Sequence, residues 1–491
     1  MSVEHWLLRR ARATPDAPAL AETGHSWTFS QLADHAARGA RHVQTHATAG
    51  DAPIALLLAG DSRFATWFHA VSLAGRTVLP LNFRLTTDEL ARQLADAGVR
   101  LLLGEDGDKR LAALRARVAG LDARPVPVAE ALPPPLGRPA GAEVDLARTL
   151  AVLFTSGTTG RAKGACLSWG NFDASARAAR QRLGPAVSGR WLACMPLYHV
   201  GGLSILLRSA IFGGPVLLQS HFDPAAVSAA LEAGDVAGLS LVPTMLSRLL
   251  AFRGEQPAPP GLRVLLLGGA ATPPALLQRA LAARFPVCLT YGLTEAASQV
   301  ATGAPPPPGV QQASPVRPLP GVELRIVAGG HDLPAGETGE IVVRGPIVMQ
   351  GYLGDHEATA RTLRDGWLYT GDVGFLDAAG GLHVRDRRDD LVVSGGENVY
   401  PAEVEAVLLG HPDVAEAGVT GVPDDDLGSR VVAWLVLRPD VAPDAQALAR
   451  FCRGQLAGFK VPREFRFVGA LPRTAAGKLR RTELPGIVAG E

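Results

Sequence analysis

Apolar residues in the first three hundred positions gather into short unbroken runs that stop at or near a glycine. "APIALLLAG", "LAVLFTSG", "LRVLLLGGA" and "PVCLTYG" are the clearest. Runs without alternation predict strands buried on both faces. Among them lie "TTDELARQLADAG" and "PALLQRALAARF", whose apolar residues recur three and four apart and predict amphipathic helices. Strands alternating with helices predict α/β layers, with function at the loops after strand ends. "GGLSILLRSAIFGGPVLL" is the most apolar stretch, but Arg208, glycines and a proline interrupt it. It predicts a buried helix and strand rather than a membrane span.

Later in the chain the period changes. "GEIVVRG" and "GGLHVRD" alternate apolar and polar, as half-buried antiparallel strands do. The charge cluster "RDRRDD", Arg385 to Asp390, follows. "ENVYPAEVEAVLLGHP" then predicts a helix opened by Pro401, where proline costs least. "SRVVAWLVL" reads as a strand, "DAQALARFCRGQLAGF" as a helix and "REFRFVG" as a strand. The last stretch therefore predicts a small separate α+β domain, with the solvated charge cluster as its boundary. Pro-rich "RPVPVAEALPPPLGRPAGAE" and "GAPPPPGV" predict surface loops, and there is no internal repeat or heptad pattern.

Composition narrows the class. A chain of 491 residues exceeds one ordinary core, so two or more domains are expected. Apolar residues make up 47% but aromatics only 5%, which predicts aliphatic cores. Basic and acidic residues number 48 and 47, so no charge footprint points to nucleic acid or an anionic membrane. Cys166, Cys194, Cys288 and Cys452 are scattered and form no CxxC pair, which predicts a reducing, cytoplasmic setting. Met1 to Leu20 is charged and lacks the apolar core of a signal peptide.

The chemistry begins at "LFTSGTTGRAKGA". Backbone N–H groups around Gly157 and Gly160, with the hydroxyls of Thr155, Ser156, Thr158 and Thr159, can cradle anionic oxygens, and Lys163 adds a point charge. It is not a Walker loop, because Arg161 and Ala162 separate the second glycine from the lysine. The plainer reading is a flexible Gly/Thr turn. In "TYGLTEAAS", Thr294 can donate to phosphate and Glu295 can hold a magnesium ion that also touches phosphate. The alternative there is a capped helix start. "GWLYTGDVG" places Asp372 in a Gly-flanked turn, where a carboxylate can accept ribose hydroxyls or simply brace the turn. Lys478 in "LPRTAAGKLRR" can stabilise a transferring phosphoryl group or belong to a basic solvated tail.

Singly these signals are weak, but their order is specific. "FTSGTTGRAKG", "MPLYHVGG", "LLLGGA", "YGLTEAAS", "GWLYTGDVG", "RDRRDDLVVSGGENVYPAEVE" and "PRTAAGKLRR" together resemble the adenylate-forming superfamily of acyl- and aryl-CoA ligases, luciferases and peptide-synthetase adenylation domains. That resemblance implies an α/β fold: a large layered N-terminal domain of mixed sheets and helices over 1–386, a hinge at 387–390, and a small mobile α+β domain over 391–491. It also implies two steps, formation of an acyl-adenylate from ATP and then displacement of AMP by coenzyme A.

The roles follow from the matched motifs. Thr155, Ser156, Gly157, Thr158, Thr159, Gly160 and Lys163 would hold the β- and γ-phosphates. Thr294 and Glu295 would serve the α-phosphate and Mg²⁺. Gly268, Gly269, Ala270, Tyr291 and Gly292 would line the nucleotide and acyl pocket, and Asp372 with Arg387 would hold the ribose. Asp389 matches the hinge and Lys478 the adenylation lysine. Gly395, Gly396 and Glu397 would approach the pantetheine channel. The resemblance implies a homodimer or a monomer.

For the acid, His199 stands at the family's aromatic-His position, where it either gates the pocket or packs after a strand. The Phe-Asp pattern of amino-acid-activating domains is absent. The pocket motifs are most similar to the o-succinylbenzoate–CoA ligases of menaquinone biosynthesis, with benzoate-type and medium-chain acyl-CoA ligases as alternatives. A catalytically silent nucleotide-binding homologue would be expected to lack Lys478, Glu295 or Asp372, and all are present. A diacid needs a partner for its second carboxylate. Arg208, alone in an apolar run, is the candidate, with Ser204, Ser298 and Gln299 as polar neighbours. Its plainer reading is a pairing with a structural carboxylate. Those ligases commonly carry serine where this chain has Gly201.

Overall fold

The computed structural model describes the chain except residues 49, 129–130, 135–136, 138, 156–161, 308–309, 387–390, 440, 473–478 and 488–491, and the side chains of 385–386. The run "APIALLLAG" becomes the strand Ile54–Leu57, every residue of it buried. It lies inside a sheet whose order is Gly351–Tyr352, Lys163–Ser168, Thr149–Thr155, Val78–Pro80, Ile54–Leu57, Leu101–Gly104 and Asp122–Pro125. The second large sheet carries "LRVLLLGGA" and "PVCLTYG" as the parallel neighbours Val264–Leu267 and Val287–Leu293. Its parallel centre also holds Val236–Leu241, Arg190–Ala193 and Val216–Leu218. Both sheets are parallel where buried and turn antiparallel at an edge, at Lys163–Ser168 in one and Ser298–Thr302 in the other.

Helices cover these sheets, and local chemistry sets their starts. Thr28, Thr86 and Ser168 each close a capping box, with Gln31, Glu89 and Asn171 three residues on. The apolar stretch at 201–218 is the predicted helix, Val200–Phe212, followed by the strand Val216–Leu218. Ten residues of that helix are buried, and Gly213 ends it in the left-handed conformation at φ 86°. Among the described residues no helix is long and apolar enough to cross a membrane. All four cysteines are free thiols.

The alternating segments form an antiparallel sheet in which Gly339–Arg344 pairs with Glu323–Ala328 and Trp367–Leu376, and Leu382–Asp386 pairs with Trp367–Leu376. After the charge cluster come the hairpin Val392–Ser394/Glu397–Val399 and the helix Pro401–Leu409 with its leading proline. The sheet Val414–Asp424, Gly428–Leu437 and Glu464–Phe467 follows, covered by Ala445–Arg453. This unit has an apolar core of its own around Val404, Leu408, Val419, Ala433 and Leu448. Residues 387–390, the expected hinge with Arg387 and Asp389, lie outside the described residues.

Candidate active site

Strand ends of both large sheets and the hairpin of the C-terminal unit surround one cavity of about 740 Å³, within the range of small-molecule sites. The glycine-hydroxyl loop bridges an antiparallel pair in which Thr155 stands opposite Lys163. Ser156, Gly157, Thr158, Thr159 and Gly160 lie outside the described residues, so only the two ends are placed. Thr155 lines the cavity. The Lys163 ammonium sits 5.3 Å from the centre of the Tyr352 ring. The Tyr352 hydroxyl donates to Glu295 Oε1 at 2.8 Å. Tyr352 thus links Lys163 to Glu295; nothing in "QGYLGD" marked it.

"TYGLTEAAS" is not a capped helix start. Strand Val287–Leu293 reaches a single 3₁₀ turn, Thr294–Ala296, and returns antiparallel as Ser298–Thr302. The return is so tight that a Cβ on Gly292 would lie 1.8 Å from the Ser298 carbonyl oxygen. Ala297 and Ser298 take positive φ, 48° and 96°, a strained backbone of the kind that concentrates at functional sites. Thr294, Glu295, Ser298 and Gln299 all face the cavity. Gln299 is buried and its Oε1 accepts from Thr302 Oγ1 at 2.9 Å. Gly268 and Gly269, at the end of the neighbouring parallel strand, line the cavity, while Ala270 and Tyr291 do not line it. Tyr291 instead donates its hydroxyl to Asp372 Oδ2 at 2.7 Å.

Asp372 departs from the expected turn. It lies within the strand Trp367–Leu376, just after Gly371 at φ 72°, beside an irregularity in the pairing. Its backbone N–H donates to Thr370 Oγ1 at 3.0 Å, and the paired residues Tyr369 and Val373 flank the irregular stretch. It is buried and borders the cavity.

The buried helix Val200–Phe212 lines part of the cavity. Arg208 is 5% exposed, and its guanidinium stacks 4.8 Å from the Trp191 ring centre. Among the described residues no carboxylate pairs with it, and its buried Nη2 has no hydrogen-bond partner. Burial pushes its pKa down to about 10, so it stays a cation at neutral pH. The structural carboxylate of the plainer reading is therefore absent among the described residues. Ser204, one turn away, does not line the cavity: its hydroxyl donates back to the Val200 carbonyl. Gly201 does line it.

The far wall comes from the C-terminal unit. Gly395 and Gly396, at φ 58° and 85°, make a two-residue turn between paired strands, which requires positive φ at both positions. That turn delivers Glu397, 4% exposed, into a polar cluster of the large unit. Glu397 Oε1 accepts from the Tyr198 hydroxyl and from Arg84 Nη1, each at 2.9 Å. Its Oε2 lies 3.3 Å from both Asn82 Nδ2 and His199 Nε2. Burial alone would raise the Glu397 pKa. The hydrogen bond and charge of His199, with Arg84 and Tyr198, outweigh it and hold the group down to about 2. Asn82 and Arg84 carried no signal in the sequence, because their partner lies 315 and 313 residues away. Lys478 lies outside the described residues.

Glu295 suits a magnesium ion. One carboxylate oxygen is held by Tyr352 and the other has no partner among the described residues, at the edge of the cavity. Among the described residues no three His, Cys, Asp or Glu side chains gather to hold a metal. A single carboxylate completed by phosphate oxygens is how magnesium usually binds nucleotide.

Comparison with known proteins agrees with this geometry. The AMP-binding enzyme family model matches residues 7–353, and the model of the AMP-binding enzyme C-terminal domain matches 403–478. A 2-succinylbenzoate–CoA ligase of Geobacillus kaustophilus is 42% identical over 99% of this chain and 98% of its own. A doubly substituted o-succinylbenzoate CoA synthetase of Bacillus subtilis, bound with its product analogue OSB-NCoA, superposes with a TM-score of 0.91 at 35% identity, covering 99% of both chains. The Bacillus subtilis enzyme with its acyl-adenylate intermediate OSB-AMP covers all of both chains at 36% identity, but at a TM-score of 0.75. With ATP and a magnesium ion the score is 0.74, again at 36% identity, over 99% of this chain and 100% of that one.

Proposed function

The chain belongs to the AMP-binding enzyme family, and from that premise we propose that it is an AMP-forming carboxylate–CoA ligase acting on 2-succinylbenzoate. The reaction joins 2-succinylbenzoate, ATP and coenzyme A into 2-succinylbenzoyl-CoA, AMP and diphosphate, a step of menaquinone biosynthesis. The observation that carries the choice of acid is Arg208, a buried cation in the cavity wall with no carboxylate partner among the described residues. A burial of that kind is costly unless an anion arrives, and the ring carboxylate of the substrate supplies one.

In the first step a succinyl carboxylate oxygen attacks the α-phosphorus and the bond to diphosphate breaks. Attack of one anion on another needs donors and cations around the phosphate. The loop from Thr155 to Lys163, with Ser156, Gly157, Thr158, Thr159 and Gly160, grips the outer phosphates. Thr294 donates at the α-phosphate. A magnesium ion on Glu295 would neutralise phosphate charge. Gly268, Gly269 and Gly292 give backbone space for adenine and acyl group. Tyr291 orients Asp372, whose other oxygen takes the ribose hydroxyls together with Arg387. Lys478 completes the site for this step.

In the second step the thiol attacks the acyl carbon, AMP leaves, and its phosphate keeps the bonding pair. We assign the arrangement seen here to this step. The superposition is much closer with the product-analogue complex than with the adenylate complex at nearly equal identity, so arrangement rather than sequence separates them. The turn Gly395–Gly396 borders the route of the pantetheine arm, and His199, which lines the cavity, meets Glu397 at 3.3 Å. Chain division at 1–386, a hinge 387–390 about Asp389, and 391–491, together with a cytoplasmic location, belong to the same proposal.

The test is AMP release from ATP and coenzyme A with o-succinylbenzoate, benzoate, 4-chlorobenzoate and octanoate. The expected result is a kcat/KM for o-succinylbenzoate far above the rest. Preference for a monoacid would overturn the substrate assignment and leave the adenylation chemistry standing.

A further inference from the structure

Lys460 is a buried lysine that the chemistry above does not use. Its side chain is 7% exposed, and its ammonium donates at 2.7 Å to Glu89 Oε1 and at 2.7 Å to Glu403 Oε1. The two carboxylates belong to different units. Glu403 sits in the first turn of Pro401–Leu409, in the same unit as Lys460. Glu89 belongs to the large unit, 371 residues away in sequence, and is 4% exposed. It is held before Lys460 arrives, because its Oε2 already accepts from Thr86 N at 2.7 Å and Thr86 Oγ1 at 2.9 Å in the capping box of Thr87–Asp96. One oxygen caps a helix and the other points across the seam.

Resting on the reading of this arrangement as the thioester-forming one, we propose that Lys460 is a positioning residue of the second step, clamping the small unit to Glu89 only in this orientation. Rotation of the small unit carries Lys460 and Glu403 away together, so their pair survives and the contact with Glu89 is lost. The clamp is asymmetric. With Lys460 neutral, Glu89 and Glu403 face each other across a buried gap, and like charges there oppose the seam. Burial and the charge of Glu89 raise the Glu403 pKa against the pull of Lys460, a sign of how closely the two acids are held. An ammonium satisfied by two carboxylates is also a poor ligand for the phosphates of coenzyme A.

The test separates the half-reactions in the full chain, with the acid that supports ATP–diphosphate exchange in the unsubstituted enzyme. Absence of exchange with every acid tried would break the ligase reading itself and not this one. Lys460→Met and Glu89→Gln, both checked for an unchanged melting transition, are expected to keep exchange within about twofold. Thioester formation from preformed acyl-adenylate should fall by roughly tenfold or more, since breaking a buried pair strands a charge. The loss should be the same with coenzyme A and with pantetheine, and the double variant should be no worse than Lys460→Met alone. Equal loss of both half-reactions would overturn the proposal in favour of a general structural role. A loss seen with coenzyme A but not with pantetheine would overturn it in favour of phosphate binding.

Discussion

The two walls of the cavity are held by opposite means. Arg208 sits on a helix buried on nearly every side, stacked on Trp191, within the main apolar core. Glu397 sits at the tip of a two-residue turn and meets the large unit through Arg84, Asn82, Tyr198 and His199. Apolar contact across that seam includes Ala457 and Phe459, which join a cluster of the large unit. Apolar burial is lost as a whole on opening, whereas charged groups regain water when they part, so their net contribution is small and reversible. On the proposed function, the wall around Arg208 is therefore permanent, and the wall around Glu397 is one that can be removed and replaced between steps.

Substitutions can break or sharpen that contrast. The largest effect is expected on the removable side in its other position. Lys478→Ala should lower adenylate formation about 10²- to 10³-fold while sparing thiolysis of supplied acyl-adenylate. Single-turnover assays of each half-reaction check this, and equal losses would deny that the unit serves the steps separately. On the permanent wall, Arg208→Leu should raise the KM for o-succinylbenzoate by about 100-fold and leave that for benzoate nearly unchanged, because only the diacid leaves a carboxylate unpaired. Steady-state kinetics with both acids decide it.

A smaller effect is expected for Glu397→Gln. Replacing the shared carboxylate by an amide should slow thioester formation by roughly tenfold, from weaker charge-assisted bonds, with adenylation unaltered. Half-reaction rates check this too. The mildest effect is on pH. Glu397 is held at about 2, below its ordinary 4.5, so ionised Glu397 favours this arrangement. That contribution is complete above 4.5 and fades as pH falls from 4.5 towards 2. Energy transfer between dyes on the two units should report opening in that window, and Glu397→Gln should remove this part of the pH response.

Much of the site was legible because its pieces are local. "SGGEN" encodes a turn needing two positive φ values, and two adjacent glycines supply them. In "TYGLTEAASQVAT" the strand was legible but its tight antiparallel return was not, although Gly292 stands where no side chain fits. The sequence pointed to Asp372 as a candidate, and the structure places it at the cavity, but within a strand rather than in the expected turn. The glycine beside it does take positive φ, while the flanking strands Gly339–Arg344 and Leu382–Asp386 keep the segment extended, and pairing of that kind depends on distant chain. Ser204 illustrates the converse: helical spacing placed its hydroxyl one turn from Gly201 as a candidate substrate contact, but it donates to its own helix at Val200.

The sequence by itself determined the strands and helices, the glycine turns, the order of the motifs and the family. Each of these depends on neighbours a few residues apart or on motif spacing. Only the tertiary structure decided that Arg208 lacks a carboxylate among the described residues, that Tyr352 reaches Glu295, and that Glu397 and Lys460 find partners more than three hundred residues away. Those outcomes depend on which surfaces the folded units bring face to face, and on which charges are buried when they meet. No local pattern of apolar and polar residues carries that information.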